Sequence, residues 1–195
     1  NANIIYLISM NMWWKHILKH WIAFATLFIF TASLSLADPE DLLDQLALSA
    51  SEQEAQPIIA KLWSEWTSAH SSNAEGSLMQ RGIIAMNQGR IDDADVLFGR
   101  LIFLNPDFTE AWNKRATLRF IKGDYAGSEA DIYEVLIRQP RHFGALSGLG
   151  LVNMKLGEWR KAVNAYESLL GVYPHSPDAK TYLPALKRKL GEMEL

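Results

Sequence analysis

The chain of 195 residues contains no cysteine, which excludes disulfide bridges, thiol nucleophiles and thiolate metal sites together. It also lacks a strong charge of either sign. The formal net charge is -3 and the longest basic run is Lys187-Arg188-Lys189, too little to grip a phosphate backbone, so nucleic acid is not an expected partner. Of five histidines, His16 and His20 fall in the first 37 residues, and His70, His142 and His175 show neither HExxH nor other ligand spacing. No carboxylate cluster of the EF-hand type occurs, so no metal and no cofactor are expected. The glycines of GALSGLG (residues 144–150) lack the preceding strand that a phosphate-binding loop requires. No G-x-S-x-G elbow exists, and Ser147 has no histidine nearer in sequence than His142. His175 and Asp178 stand three apart, a spacing that capping at a junction explains as well as chemistry does. The chain is therefore not expected to be an enzyme.

Long apolar runs are confined to one place. Lys15 and Lys19 precede an apolar run, Trp21 to Phe30, which ends in the small residues Ser35-Leu36-Ala37. That order is the pattern of a secretory signal, with cleavage expected after Ala37. An uncleaved anchor is the alternative, but Trp21 to Ala37 is shorter than the ~20 residues of a membrane span. Residues 1–37 are thus assigned as a signal segment, and a periplasmic location follows. The anchored alternative would hold the chain in the inner membrane, facing the periplasm. Removing Lys15 and Lys19 from the 19 basic residues leaves 17 against 22 acidic ones, a net charge of -5 on the remainder.

Proline is scarce, seven in all, yet Pro106, Pro140 and Pro174 are evenly spaced (140 minus 106, and 174 minus 140, are both 34). Regular spacing of a helix breaker points to a repeat. The windows 75–108, 109–142 and 143–176 align without a gap, each with a midpoint glycine (Gly89, Gly123, Gly157) followed two residues later by Ile91, Tyr125 or Trp159. Glycine ends the first helix of each window and proline the second. Asp107 is expected to cap the helix after Pro106, with Glu110 as its capping-box partner. Small residues recur at the eighth position (Gly82, Ala116, Gly150) and the twentieth (Ala94, Ser128, Ala162), where the paired helices are expected to meet closely. Larger ones recur at the fourth (Leu78, Trp112, Leu146) and the twenty-fourth (Phe98, Ile132, Tyr166). One such pair cannot bury both faces, so stacking must supply the core.

At these residues the chain resembles the tetratricopeptide repeat (TPR) family, whose pattern is W-x2-L-G-x2-Y, then A-x3-F, then P. Arg115 and Arg119 depart from it where Leu and Tyr are usual, as does Asn153 in the third window; Asp131 is a candidate partner for the two arginines. The resemblance implies an all-α, right-handed α-solenoid of helix-turn-helix repeats with helical caps at both ends. Residues 38–74 form an N-terminal helical cap expected to pack against the first repeat, with a hinge over residues 68–76. Residues 177–195 form a C-terminal capping helix, expected to bend at Pro184.

In such stacks the first helices line a concave face. Positions 5, 9 and 12 of the windows point into it: Met79, Ile83 and Met86, then Asn113, Thr117 and Phe120, then Ser147, Leu151 and Met154. These residues are the candidate partner-binding set, for a protein or peptide partner. The groove so drawn is apolar at its ends and polar near its middle, suited to an apolar peptide or an amphipathic helix. The relatives that clamp a terminal carboxylate use Lys and Asn on the first helix, where this chain has Met79 and Ile83. By resemblance to small secreted repeat proteins of Gram-negative bacteria, the expectation is a periplasmic interaction module. The alternative is an accessory subunit of an envelope enzyme or export assembly.

Overall fold

The computed structural model describes residues 38–68 and 73–193; the signal segment expected over residues 1–37 lies outside them. Among the described residues the secondary structure is entirely helical: α1 (Pro39–Ala47), α2 (Glu52–Ser68), α3 (Asn73–Asn87), α4 (Ile91–Leu104), α5 (Thr109–Ile121), α6 (Tyr125–Arg138), α7 (Phe143–Leu156), α8 (Trp159–Val172) and α9 (Pro177–Met193). The fold is an all-α solenoid of helix pairs, α3/α4, α5/α6 and α7/α8, closed by α9. The 34-residue period reappears in the helix starts Thr109, Phe143 and Pro177, and again in Ile91, Tyr125 and Trp159. No described helix is long and apolar enough to cross a membrane.

Gly89, Gly123 and Gly157 have φ of 72°, 79° and 77°, the left-handed conformation that turns the chain out of α3, α5 and α7 and that a Cβ disfavours. The capping of α5 differs from expectation. Phe108, not Asp107, is its N-cap residue and has no side-chain acceptor to give, and the Glu110 side chain is buried and engaged elsewhere. The equivalent positions His142 and Ser176 do cap, accepting from the backbone N–H of Ala145 and Ala179 at 3.0 and 3.3 Å.

The close approach within each pair also differs from the one expected between small residues. A Cβ on Gly82 would lie 2.5 Å from the Phe98 ring, and one on Gly150 2.5 Å from the Tyr166 ring. Position eight is therefore matched to position twenty-four: glycine stands under a ring, whereas in the middle repeat Ala116 shares a core with the slimmer Ile132. Arg115 and Arg119 turn inward onto Asp131. Arg115 donates from Nε and Nη2 at 2.8 Å each, and Arg119 Nη1 lies at 3.0 Å. Burial of the carboxylate is compensated by both cations.

α9 runs as one helix through Pro184 and α2 through Pro57. α3 begins at Asn73, inside the segment expected to be a hinge. The largest departure is where the N-terminal helices dock. Their apolar side chains, Leu42, Leu43, Leu46, Ala55, Leu62 and Trp66, join the core of the third repeat with Leu146, Tyr166, Leu169 and Leu183, while the first repeat has a separate core around Phe98 and Leu101. Arg141 ties α1 down, with Nη1 at 3.2 Å from Glu40 and 2.7 Å from Asp44.

Candidate binding groove

α2 crosses the face lined by the first helices of the repeats. Its Trp63 meets Phe143 edge to face at 5.0 Å and packs on Gly144, where a Cβ would come within 2.6 Å of the indole. Trp66 stacks on the His142 ring at 4.0 Å. Between α2 and that face runs a cleft of about 430 Å³. Its walls include Ile59 and Trp63 of α2, Met86 of α3, Asn113, Lys114 and Thr117 of α5, Phe143 and Ser147 of α7, and Asp178 of α9.

Beneath the aromatic pair lies a buried polar network. Glu110, only 1% exposed, faces His142 Nε2 at 3.1 Å and Lys114 Nζ at 2.8 Å, and it accepts from Asn113 Nδ2. His142 Nδ1 accepts from the Ala145 N–H, so the proton of the neutral ring sits on Nε2 and is donated to the carboxylate. Burial alone would raise the Glu110 carboxyl, but the hydrogen bond from His142 and the charge and hydrogen bond of Lys114 outweigh it and hold the group below the ordinary carboxylate range. The cation of Lys114 is thereby spoken for, and the ammonium also stands 4.9 Å above the Trp63 ring. Asp178 accepts from Ser147 Oγ at 2.5 Å. His175 is directed at the Ser49 carbonyl, 2.9 Å away, and at Lys180 Nζ, so it forms no pair with Asp178.

The nine residues singled out from the sequence separate into three groups. Met86, Asn113, Thr117 and Ser147 line the cleft. Phe120 and Leu151 line a smaller hollow of about 80 Å³ that begins at the same Asn113 and Thr117. The other three belong to packing. Met79 is 2% exposed in the core of the first repeat, because that helix turns its fifth position toward α4 and α5, and Ile83 packs against the same core. Met154 packs against the third-repeat core, where its sulfur receives the Tyr166 hydroxyl at 3.8 Å.

Sequence reasoning missed Lys114, Asp178 and the whole α2 wall. Glu110, Gly144 and Asp178 all occupy the second position of their windows, and Glu110 and Lys114 form an i, i+4 pair of opposite charge. A scan of the windows for charge as well as hydrophobicity would have found them. Nothing local marks α2 as part of this face.

Models of the tetratricopeptide repeat match residues 79–143 and 145–176. The chain is 34% identical over 151 residues to a TPR repeat-containing protein of Rhizobium etli, covering 77% of this chain and 74% of that one. Among solved structures it is similar to the first TPR domain of Spaghetti bound to the HSP90 peptide SRMEEVD (21% identity, TM-score 0.60, 62% of this chain and 96% of that one). It is similar as well to the Sgt2 TPR domain of Aspergillus fumigatus (22% identity, TM-score 0.60, 65% and 85% covered). A third similar structure is MamA (19% identity, TM-score 0.57, 71% and 73% covered).

Proposed function

The chain belongs to the tetratricopeptide repeat family, and on that premise we propose that it captures a polypeptide segment in the cleft between α2 and the first helices, in the periplasm, without turnover. The observation that carries the reading is the cleft itself. Its 430 Å³ fall within the range of built binding sites, and its lining is drawn from α3, α5, α7 and α9 at once. The similar Spaghetti domain holds its HSP90 peptide in a fold of this kind. The segment taken here differs in chemistry from that acidic tail. Lys114 is neutralised by Glu110, Asp178 adds a negative charge, and Met79 and Ile83 are apolar and packed. An uncharged or mildly cationic segment with apolar side chains fits this lining. Export rests on the signal pattern of residues 1–37.

A subunit role in an envelope assembly is the second reading. It is favoured by Phe103 and Ile137, equivalent residues of α4 and α6 (137 minus 103 is 34) that are 83% and 74% exposed.

The test is a photo-crosslinking side chain placed at Thr117, which is exposed and lines the cleft, and a control at Ala130, which is exposed on α6. Expression in the native envelope should yield a recurrent cross-linked segment from Thr117 and not from Ala130. Thr117→Arg should abolish capture with an unchanged melting temperature. Equal capture from both sites would sink the groove reading.

A further inference from the structure

We propose that α2 is a resident occupant of this groove, seated where a partner helix would lie, and that the chain takes up an amphipathic helix only when α2 gives way. The proposal rests on the capture reading above and adds its regulation. The partner it commits to is a helix carrying an aromatic pair three residues apart beside an aliphatic stripe. That is the face α2 itself presents through Ile58, Ile59, Leu62, Trp63 and Trp66.

The surface under α2 is mixed: Ala55 and Leu62 lie in the apolar core with Leu146, Tyr166 and Leu169, and the two tryptophans lie on polar groups. Within the repeats, helices meet through fitted apolar pairs, Phe98 on Gly82 and Tyr166 on Gly150. Under the rings of α2 lie instead an imidazole, an ammonium and a buried carboxylate. Trp66 stacks on His142, and Trp63 lies beneath Lys114. Those groups satisfy one another: His142 and Lys114 meet Glu110, Asn113 donates to Glu110, and the Ala145 N–H is received by His142. At the tryptophans, withdrawal of α2 exposes polar groups that are already paired and that water solvates readily, while Leu146, Tyr166 and Leu169 lose the cover of Leu62 and must be reburied by the incoming helix. A surface rich in paired polar groups that is covered by two aromatic anchors is the composition of a binding interface.

The cleft is walled on one side by Ile59 and Trp63 of α2, so an extended segment can lie beside α2, whereas a helix that takes the seats of Trp63 and Trp66 on Phe143 and His142 must replace it. Because α2 is tethered to the solenoid, it competes at an effective concentration of order millimolar. Only a partner that reproduces or improves its aromatic pattern displaces it.

Two measurements test this. In hydrogen exchange on the unaltered protein, the amides of α2 should exchange at least tenfold faster than those of α7 and α8, in a separate opening step. A labelled synthetic peptide with the sequence of residues 52–68 should bind the Trp63→Ala/Trp66→Ala chain at least tenfold more tightly than the unaltered chain. The same peptide with both tryptophans replaced by alanine should bind neither. Exchange of α2 at the rate of α7 and α8 would overturn the proposal, and so would equal peptide affinity for a folded variant. If the variant fails to fold, the exchange experiment on the unaltered protein decides alone. Cross-linking of an extended segment at Thr117 while α2 stays fully protected would leave the capture reading standing and end this one.

Discussion

Replacing Gly150 by alanine tests the register of the solenoid at one methyl group. In an open helix the change is favourable by about 1 kcal/mol, because glycine has the greater conformational entropy to lose. At Gly150 the new Cβ would stand 2.5 to 2.8 Å from three carbons of the Tyr166 ring. That ring is fully buried, stacks on Tyr182 at 5.7 Å, and directs its hydroxyl to Met154, so it cannot swing aside. Overpacking of this kind costs about 1 to 3 kcal/mol, and the net effect is a loss of up to about 2 kcal/mol. At roughly 2 to 4 °C per kcal/mol for a chain of this size, the melting temperature should fall by several degrees. Gly99, in the middle of α4, is the control. Its Cβ would meet only Arg115 Nη1, at 3.9 Å, so Gly99→Ala should stabilise by about 0.5 to 1 kcal/mol. Gly150→Ala with Tyr166→Ile copies the Ala116 and Ile132 pairing of the middle repeat and should recover part of the loss, a coupling of about 1 kcal/mol or more in a double-mutant cycle. Thermal melts of the five proteins suffice. A melting temperature raised by Gly150→Ala as much as by Gly99→Ala would refute the ring-over-glycine packing and the repeat alignment with it.

Asp131→Ala should destabilise by about 3 kcal/mol or more in chemical denaturation, because it leaves Arg115 and Arg119 turned inward without their shared carboxylate; a loss below about 1 kcal/mol would make the trio a surface ornament. Glu110 sets an acid limit: its carboxyl is held below its unfolded value, so the folded state binds fewer protons between the two, the stabilisation is complete above the unfolded value, and it is lost as pH falls through the depressed one. Stability measured against pH should therefore drop more steeply on the acid side for the unaltered chain than for Glu110→Gln, and parallel curves would refute the network. Mass spectrometry of exported protein should find Asp38 at the N-terminus; intact protein retained in the inner membrane would establish the anchored form instead.

The repeat architecture was legible in the sequence because every device that produces it is local. A left-handed glycine and a terminating proline each act within some twenty residues, and the 34-residue period places them three times over; which residue faces Gly82 and Gly150 across their pairs, a ring and not a second small residue, was not read. The inward turn of Arg115 and Arg119 was legible for the same reason, since Asp131 is their neighbour across one helical hairpin. The groove was read in part. Periodicity identifies the residues on one side of a first helix, and Asn113, Thr117 and Ser147 were found that way. It does not tell core from surface at the ends of the stack, so Met79, aligned with Asn113 and Ser147, faces the core of the first repeat.

The position of the N-terminal helices was not legible, for a different reason. The apolar spacing of α2 states that Leu62, Trp63 and Trp66 share a face, but a face carries no address. The first repeat is nearest in the chain, but it has its own core around Phe98 and Leu101, which α2 does not join. At the third repeat Leu146, Tyr166 and Leu169 would otherwise lie uncovered, and Gly144 leaves the depression into which the Trp63 indole fits. Long-range docking is thus selected by the surfaces left unburied after the repeats have closed on themselves, a property of the assembled solenoid and of no window within it. Gly144 entered the sequence reading only as one of three glycines that form no phosphate-binding loop, and it is the second residue of a helix, where alanine would serve the helix better. A helical glycine with no partner inside its own repeat marks the place where something from elsewhere in the chain comes to rest, and Gly144→Ala, which puts a methyl group against the indole, should loosen α2 while leaving α7 and α8 protected from exchange.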